Sequence, residues 1–320
     1  MNLPIDQGVA LLRRIQSAIA TRVIGQDVAI EDALVTFLAR GHLLIEGVPG
    51  TAKTMLVRAL GQVLGVRFSR IQFTPDLMPS DVTGVSMLRD PARGFEFQPG
   101  PIFTDLLLAD EINRAPAKTQ SALLEGMGER QVTVDGVTRP LDPLFTVYAT
   151  QNPVEHEGTY PLPEAQLDRF LLKTVISYPS AEAELAMLAL HESGFDPDRV
   201  VEDALPPAVT PEEARALRSL ADGVRVAPEV REYIAAITRA TRDESALSLG
   251  ASPRATVALM RAARAAAVLQ GRDFVTPDDV KDRVLAALRH RVTVAPELEV
   301  EGRSADDVLL AVLARIEAPR

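Results

Sequence analysis

The chain has 320 residues, more than a single domain usually needs, so two packed units are expected. It contains no cysteine, which excludes a disulfide framework, a cysteine-based zinc site and thiol catalysis. Its formal net charge of −10 opposes general binding to nucleic acid, which requires a basic surface. The four histidines show no metal-ligand spacing, and the chain shows neither a cleavable leader nor a bilayer-spanning apolar run, so we expect a cytoplasmic protein.

The first half of the chain alternates between helical and strand patterns. Helical periodicity covers Ile5 to Ala20 and Asp27 to Arg40, and a short buried strand follows at His42 to Glu46. The next elements are a helix at about Thr54 to Leu64 and strands at Val66 to Phe73, Ile102 to Asp110 and Leu144 to Thr150. This alternation favours a mostly parallel sheet with helices on both faces.

Two β-hairpins are predicted to interrupt this scheme. The clearer one covers Gln131 to Pro140, where Asp135 and Gly136 suit a two-residue turn. The other covers about Ser86 to Pro101, and its best strand is Phe95 to Phe97.

No strand is predicted after Tyr178, where six helical segments follow. They are Ala181 to His191, Pro211 to Ala221, Pro228 to Arg242, Pro253 to Leu269, Pro277 to His290 and Ala305 to Ile316. Three of them open with Thr or Ser followed by Pro, which is a helix-start signature. Residues 192–207, rich in Pro and Gly, are expected to form a loop.

These elements predict two domains joined by a linker. An α/β domain covers 1–178, with hairpin inserts at about 84–101 and 129–141. A linker covers 179–203 and a helical domain covers 204–320.

The strongest functional pattern stands between a strand and a helix, where a phosphate-binding loop must lie. It consists of Gly47, Val48, Pro49, Gly50, Thr51, Ala52, Lys53 and Thr54, with Met55 continuing into the helix. Backbone amides and the helix N-terminus would stabilise the phosphates of ATP, while Lys53 would reach the β- and γ-phosphates and Thr54 would ligate Mg²⁺. The generic pattern has Gly in place of Ala52, so a Cβ could crowd the phosphates there.

A second pattern places two acidic residues at the end of an apolar strand. Asp110 would hold Mg²⁺, directly or through water, and Glu111 would orient and polarise the attacking water. A strand that ends in Asp-Glu is, by itself, equally well explained by a solvated strand end. Downstream of a phosphate-binding loop, it favours nucleotide hydrolysis instead.

A third pattern is an apolar strand that ends at Asn152. An amide at that strand tip could hydrogen-bond both the γ-phosphate and the attacking water. Taken alone, Asn152 and Pro153 indicate only a turn.

In this order, the three patterns resemble AAA+ ATPases, and four long runs resemble the MoxR family within them. The runs are Gln72 to Gly84, Phe97 to Phe103, Ala109 to Pro116 and Ala149 to Phe170. With the C-terminal helices, the resemblance covers nearly the whole chain. It implies an α/β P-loop AAA+ fold, a parallel-sheet sandwich with a C-terminal all-helical lid, and Ala before the P-loop lysine is familiar in this family.

The resemblance also implies roles for residues outside the three patterns. Arg169 matches the arginine finger, which reaches the nucleotide of a neighbouring subunit, and Arg254 matches the sensor 2 arginine of the lid. A fixed guanidinium would stabilise the charge of the transferring phosphoryl group. By residue chemistry alone, each would instead be a surface salt-bridge arginine, and Arg114 and Arg130 remain rival fingers.

Ile24 and Gly25 belong to a segment that matches the adenine side of the site, although a plain helix-to-helix turn explains any single residue equally well. The two hairpins match the helix-2 insert and the pre-sensor 1 hairpin. Phe95 and Phe97 are therefore candidates for partner contact, unless they pack within the hairpin.

By resemblance, the chain is expected to be a Mg²⁺-dependent ATPase that forms a homo-oligomer, in the family a hexamer, and remodels or activates partner proteins. The usual adaptor in such systems carries a von Willebrand factor A domain, and the clients are often metal- or cofactor-dependent enzymes. Three alternatives remain open: a chelatase motor subunit, a nucleic-acid-directed motor of the same clade, and a nucleotide-dependent binding switch that scarcely hydrolyses ATP.

Overall fold

The computed structural model describes residues 3–90, 94–152, 158–196 and 204–319. Two helices open the chain, α1 (Ile5–Ala20) and α2 (Asp27–Leu38), as predicted. On α1 the buried side chains recur along one stripe, from Val9 and Leu12 to Ile15 and Ile19. By contrast α2 is buried almost all round, because it lies between α1 and the C-terminal helices.

A five-stranded parallel sheet forms the centre of the molecule, which confirms the predicted parallel architecture. Its strands are β1 (Leu43–Gly47), β2 (Phe68–Gln72), β5 (Leu106–Asp110), β8 (Thr146–Gln151) and β9 (Leu172–Ile176). They are arranged in the order β2-β5-β8-β1-β9, all parallel. The sequence patterns missed β9, and β5 begins later than expected because the chain still turns at Thr104 and Asp105.

Both predicted hairpins are present. The first pairs β3 (Gly84–Asp90) with β4 (Gly94–Pro99), and the second pairs β6 (Gln131–Val134) with β7 (Val137–Pro140). The turn of the second hairpin has positive φ angles of 52° and 75° at its two central residues, as the Asp-Gly pair predicts. The residues between β3 and β4 lie outside the described part of the chain.

The two hairpin phenylalanines have different environments. The Phe97 ring packs edge-on against Phe103, with ring centroids 5.6 Å apart, and the Arg139 guanidinium lies 3.8 Å from its centroid. Phe97 is therefore a half-buried residue that joins the two hairpins. Phe95 is 76% exposed and remains a candidate contact residue.

Helices cover the sheet and continue into the C-terminal part of the chain. Around the sheet lie α3 (Lys53–Leu64), α4 (Pro79–Thr83), α5 (Ala117–Glu129) and α6 (Glu164–Leu167). The later helices are α7 (Ala181–Glu192), α8 (Pro211–Gly223), α9 (Pro228–Ala240), α10 (Pro253–Leu269), α11 (Pro277–Leu288), α12 (Pro296–Val300) and α13 (Ala305–Ala314). No helix of the described residues is both long and apolar enough to cross a membrane.

The predicted helix starts are confirmed. Thr210, Ser252 and Thr276 cap α8, α10 and α11 with their side-chain oxygens, and each is followed by proline. The expectation of no strand after Tyr178 is wrong in one detail: β10 (Leu247–Leu249) and β11 (Thr293–Val294) form a small antiparallel sheet. Of the predicted loop at 192–207, residues 197–203 lie outside the described part.

The C-terminal helices pack against α2 and β9 rather than standing apart from the sheet. One apolar cluster joins α1, α2 and α3 to α8, α9, α10 and α11. A buried ion pair connects the two parts, since Arg283 on α11 binds Asp32 at 2.7 Å and Glu31 at 2.5 Å on α2. The lid is thus fixed beside β9, at the edge strand of the sheet.

Candidate nucleotide site

The predicted phosphate-binding loop joins the end of β1 to the start of α3. Gly50 has a φ of 79°, which glycine tolerates, and Thr51 Oγ1 donates to the Val48 carbonyl at 2.8 Å. The Lys53 ammonium donates to the carbonyls of Gly47 and Val48, at 2.5 and 2.8 Å. A cation and the N-terminus of a 12-residue helix therefore meet at one point, which suits a polyphosphate.

Ala52 occupies a conformation that glycine prefers. Its φ and ψ of 62° and 19° lie in the left-handed region, directly before α3. For a residue with a Cβ, this conformation costs about 1–2 kcal/mol. The backbone at Ala52 is thus one that glycine would adopt more easily, as the generic loop pattern indicates. The resulting strain lies at the centre of the loop.

Asp110 and Glu111 lie opposite the loop, at the end of β5. Asp110 is buried, and its Oδ2 accepts a hydrogen bond from Thr54 Oγ1 at 3.2 Å. Its Oδ1 accepts from Thr150 Oγ1 at 2.6 Å, while the same hydroxyl accepts from the Glu111 backbone N–H at 2.9 Å. Thr150 on β8 therefore fixes both acidic residues relative to each other.

The Glu111 carboxylate is held by side chains from outside its own strand. Its backbone is left-handed, with a φ of 56°, and this turns the chain at the end of β5. Gln72 Nε2 donates to Glu111 Oε2 at 2.9 Å, and Arg114 lies 3.4 Å from the same oxygen. The sequence patterns did not identify Gln72, Thr150 or Arg70, which also lines this site, as functional residues. Gln72 and Thr150 do occur in runs that carried the resemblance.

The oxygens around Thr54 and Asp110 fit a magnesium ion. Hydroxyl and carboxylate oxygens are hard ligands of the kind that Mg²⁺ prefers. The described residues contain no group of three or more acidic, His or Cys ligands. Mg²⁺ is usually bound by one or two carboxylates together with substrate phosphates, and Asp110 would be such a carboxylate.

A cleft of ≈ 480 Å³ surrounds these groups. Its lining contains the loop from Pro49 to Met55, both acidic residues and Asn152, which is 7% exposed at the tip of β8. Ile24 and Gly25 are not part of this lining; Gly25 instead abuts Pro179 and Ala183, at the start of α7. Their assignment to the adenine side stays a prediction.

Arg169 and Arg254 lie in a different cavity, which we call the arginine pocket. Its volume is ≈ 230 Å³, and the other arginines in its lining are Arg40, Arg130, Arg261 and Arg291. Among the described residues of that lining, Asp168 is the only acidic one, and it is paired with Arg291 at 2.7 Å. Outside the lining, Asp222 pairs with Arg40 at 2.6 Å. The rival Arg114 lies near Glu111 instead.

Backbone carbonyls hold several of these guanidinium groups. Arg169 Nη1 donates to the Leu124 carbonyl at 2.6 Å, and Arg130 Nη2 donates to the Arg40 carbonyl at 2.8 Å. Burial, and after it the positive charge of Arg40, lowers the pKa of Arg130. Burial and the neighbouring arginines likewise lower the pKa of Arg261. The pocket is therefore a concentration of like charge that favours an anion.

The arginine pocket and the nucleotide cleft lie at opposite ends of the sheet. Arg40 and His42 precede β1, whereas the P-loop follows it. A strand of five residues spans about 17 Å, which exceeds the reach of an arginine side chain. Arg169 and Arg254 therefore do not line the cleft that contains the P-loop of their own chain.

Comparisons with known proteins agree with this geometry. A model described as "ATPase family associated with various cellular activities (AAA)" matches residues 42–172, and one described as "AAA lid domain" matches residues 239–311. The crystal structure of a protein described as an ATPase, from Cytophaga hutchinsonii, superposes with a TM-score of 0.89 at 38% identity, covering 99% of this chain and 97% of that one.

Two relatives match this chain over more than nine tenths of its length. The chain is 48% identical over 294 residues to YeaC, an uncharacterized protein of Bacillus subtilis, covering 92% of this chain and 90% of YeaC. It is 42% identical over 316 residues to the chaperone MoxR1 of Mycobacterium tuberculosis, covering 93% of this chain and 80% of MoxR1. The match to MoxR1 extends through both the sheet and the lid, and the chain therefore belongs to the MoxR family of AAA+ ATPases.

Proposed function

We propose that this chain hydrolyses ATP with Mg²⁺ in a site that is complete only between two copies of the chain. The observation that carries the proposal is the meeting of Lys53, Thr54, Asp110 and Glu111 around one cleft. The arginines that would stabilise the phosphoryl group lie about one strand length away, at the other end of the sheet. A second copy that presents its arginine pocket to the cleft would supply them.

The side chains of the cleft divide the chemistry among them. Lys53 leaves its carbonyl partners and binds the β- and γ-phosphates, while the loop amides hold the remaining phosphate oxygens. Thr54 and Asp110 would hold Mg²⁺, which neutralises phosphate charge when bound. Glu111 orients the attacking water and takes up its proton, and the Asn152 amide positions that water against the γ-phosphate.

The partner chain completes the site. Its Arg169 and Arg254 equivalents would bind the γ-phosphoryl oxygens as charge develops there. Such a contact joins two different surfaces of the same chain, so repetition must produce a ring or an open helix. By family likeness we favour a hexameric ring that remodels a protein client, with a von Willebrand factor A domain protein as adaptor and metal- or cofactor-dependent enzymes among the clients.

The hydrolytic role is tested with Glu111→Gln. ATP turnover should fall by about a hundredfold or more, because the general base is lost. ATP binding should persist, because the phosphate contacts of the loop remain. Glu229→Gln, at an exposed site on α9, is the control and should keep full turnover. Unchanged turnover in Glu111→Gln would show that this residue is not the base.

The interface is tested by mixing two inactive variants. Lys53→Ala disables the cleft and keeps the arginine pocket, while Arg169→Ala does the reverse. In a random 1:1 mixture, about one quarter of the contacts pair an intact cleft with an intact pocket, so about one quarter of wild-type activity should return. The control combines both substitutions in one chain. A mixture of Lys53→Ala with this double variant, Lys53→Ala and Arg169→Ala together, contains no intact cleft and should stay inactive. Co-assembled mixtures without activity would contradict a shared site.

A further inference from the structure

Arg70 occupies the side of Asp110 that faces the P-loop hydroxyl. Its Nη2 lies 2.7 Å and its Nε 3.1 Å from Asp110 Oδ2, the same oxygen that accepts from Thr54 Oγ1 at 3.2 Å. The Asp110 side chain is only 8% exposed, whereas that of Arg70 is 44% exposed. A partly exposed cation from the edge strand β2 thus covers a buried carboxylate.

We infer that Arg70 is the counter-ion of Asp110 while no metal is bound, and that Arg70 leaves Asp110 Oδ2 when Mg²⁺ binds there. Arg70 thereby sets how strongly nucleotide binding depends on the metal. The inference rests on the proposed function, because it assigns the metal to Thr54 and Asp110. Arg70 acts through Asp110, so it is a positioning residue.

Charge balance explains why such a residue is needed. A buried carboxylate without a partner is costly, and beside a triphosphate it also repels the ligand. Arg70 offsets both effects while no metal is bound. A guanidinium and a divalent cation on the same oxygen repel each other, so the metal must displace Arg70.

The structure also provides a resting place for the displaced guanidinium. Arg70 Nη2 donates to Gln72 Oε1 at 2.8 Å as well as to Asp110. Both side chains lie on the same face of β2, since they are two residues apart. After Arg70 leaves Asp110 it remains beside Gln72, whose amide holds Glu111. Gln72 thus contacts both Arg70 and the proposed base.

The test compares nucleotide affinity with and without the metal. Dissociation constants for a fluorescent ATP analogue are measured in EDTA and in saturating Mg²⁺. The ratio of the constant in EDTA to the constant in Mg²⁺ is then compared between variants. For Arg70→Gln we expect this ratio to rise about fivefold or more, since metal-free binding weakens and metal-bound binding is spared, which corresponds to about 1 kcal/mol. Arg70→Lys keeps the charge and should restore most of the wild-type ratio.

The control is Arg67→Gln. Arg67 lies just before the same strand but pairs with Asp105 and Asp142, away from the cleft. The ratio of dissociation constants for Arg67→Gln should therefore stay at the wild-type value. A purely structural role for Arg70 would weaken both affinities equally. An unchanged or smaller ratio in Arg70→Gln would therefore overturn the inference alone. A wild-type protein that binds no ATP, with or without Mg²⁺, would overturn the proposed function and the inference together.

Discussion

His42 makes the stability of the protein sensitive to acid. The ring is 5% exposed, at the entrance to β1, and forms part of the arginine pocket. Its Nδ1 accepts from the Val147 backbone N–H at 2.9 Å, so Nε2 carries the proton and faces the Met127 carbonyl at 3.3 Å. The neutral ring thus satisfies both partners, whereas a second proton on Nδ1 would face the Val147 N–H.

The magnitude follows from linkage. Burial, followed by the charge of Arg130, lowers the pKa of His42 from 6.5 to about 3. Because the folded-state pKa is depressed, the unfolded chain takes up the proton first as the pH falls. The stabilisation is present above 6.5 and is lost progressively as the pH falls towards about 3. At pH 5 the loss amounts to about 2 kcal/mol.

The assay is urea unfolding at pH 8 and at pH 5, for the wild type and His42→Gln. A glutamine amide can accept from Val147 and donate to Met127 without titrating. The free energy of unfolding of this variant should therefore fall by about 2 kcal/mol less on acidification than that of the wild type. His191→Gln, at an exposed site on α7, should leave the difference unchanged. An identical acid response in the wild type and His42→Gln would refute the argument.

Three further substitutions test the strained loop and the placement of catalytic groups. Ala52→Gly should raise the free energy of unfolding in urea by up to about 1 kcal/mol, because it relieves a left-handed alanine. Gly128→Ala would place a Cβ against the Arg169 guanidinium, so ATP turnover of the assembly should fall about tenfold or more while nucleotide affinity is kept. Thr150→Val removes the hydroxyl between Asp110 and the Glu111 N–H, and kcat should fall about tenfold.

Each of these has a matched control. Ala189→Gly, at an exposed position of α7, should lower stability by about 0.5–1 kcal/mol, so a loss of similar size in Ala52→Gly would contradict the strain. An added Cβ at Gly223 meets no atom within 4 Å, and Gly223→Ala should keep full turnover. Thr138→Val changes an exposed hairpin threonine and should also be silent. Wild-type turnover in Gly128→Ala or Thr150→Val would contradict the positions assigned to Arg169 or Glu111.

The loop and the acidic pair were predictable because their chemistry is local in sequence. Lys53 and Thr54 stand at fixed offsets from the loop glycines, and Asp110 directly follows an apolar run. Thr150 and Gln72 were not predictable in the same way. Gln72 lies opposite Asp110 only through the pairing of β2 with β5, and such a register depends on contacts distant in sequence.

Short strands were the other gap. Leu172 to Ile176 lies on the edge of the sheet, and the lid strands comprise three and two residues. The two lid strands carry too few residues for a periodic pattern to be distinguished from a loop. β9 is as long as β1, but Lys173 and Thr174 interrupt the kind of apolar run that identified β1. The starts of α8, α10 and α11 were predictable, because Thr or Ser followed by Pro specifies a start through capping and a fixed φ. The five-residue helix α12 was not predicted.

The position of the arginines is what favours an assembly over a monomeric enzyme. Resemblance alone implied a finger at Arg169 and a sensor at Arg254, without placing the two in one cavity. The structure joins them in a pocket whose only acidic lining residue is already paired with Arg291. Gathering so many guanidinium groups is unfavourable unless anions offset their repulsion. Asp222 pairs with Arg40 at 2.6 Å, and under the proposed function the polyphosphate in a neighbour's cleft would offset the charge that remains. Nucleotide binding would then stabilise the contact between subunits, and hydrolysis would weaken it, which couples the chemistry of one chain to the position of the next.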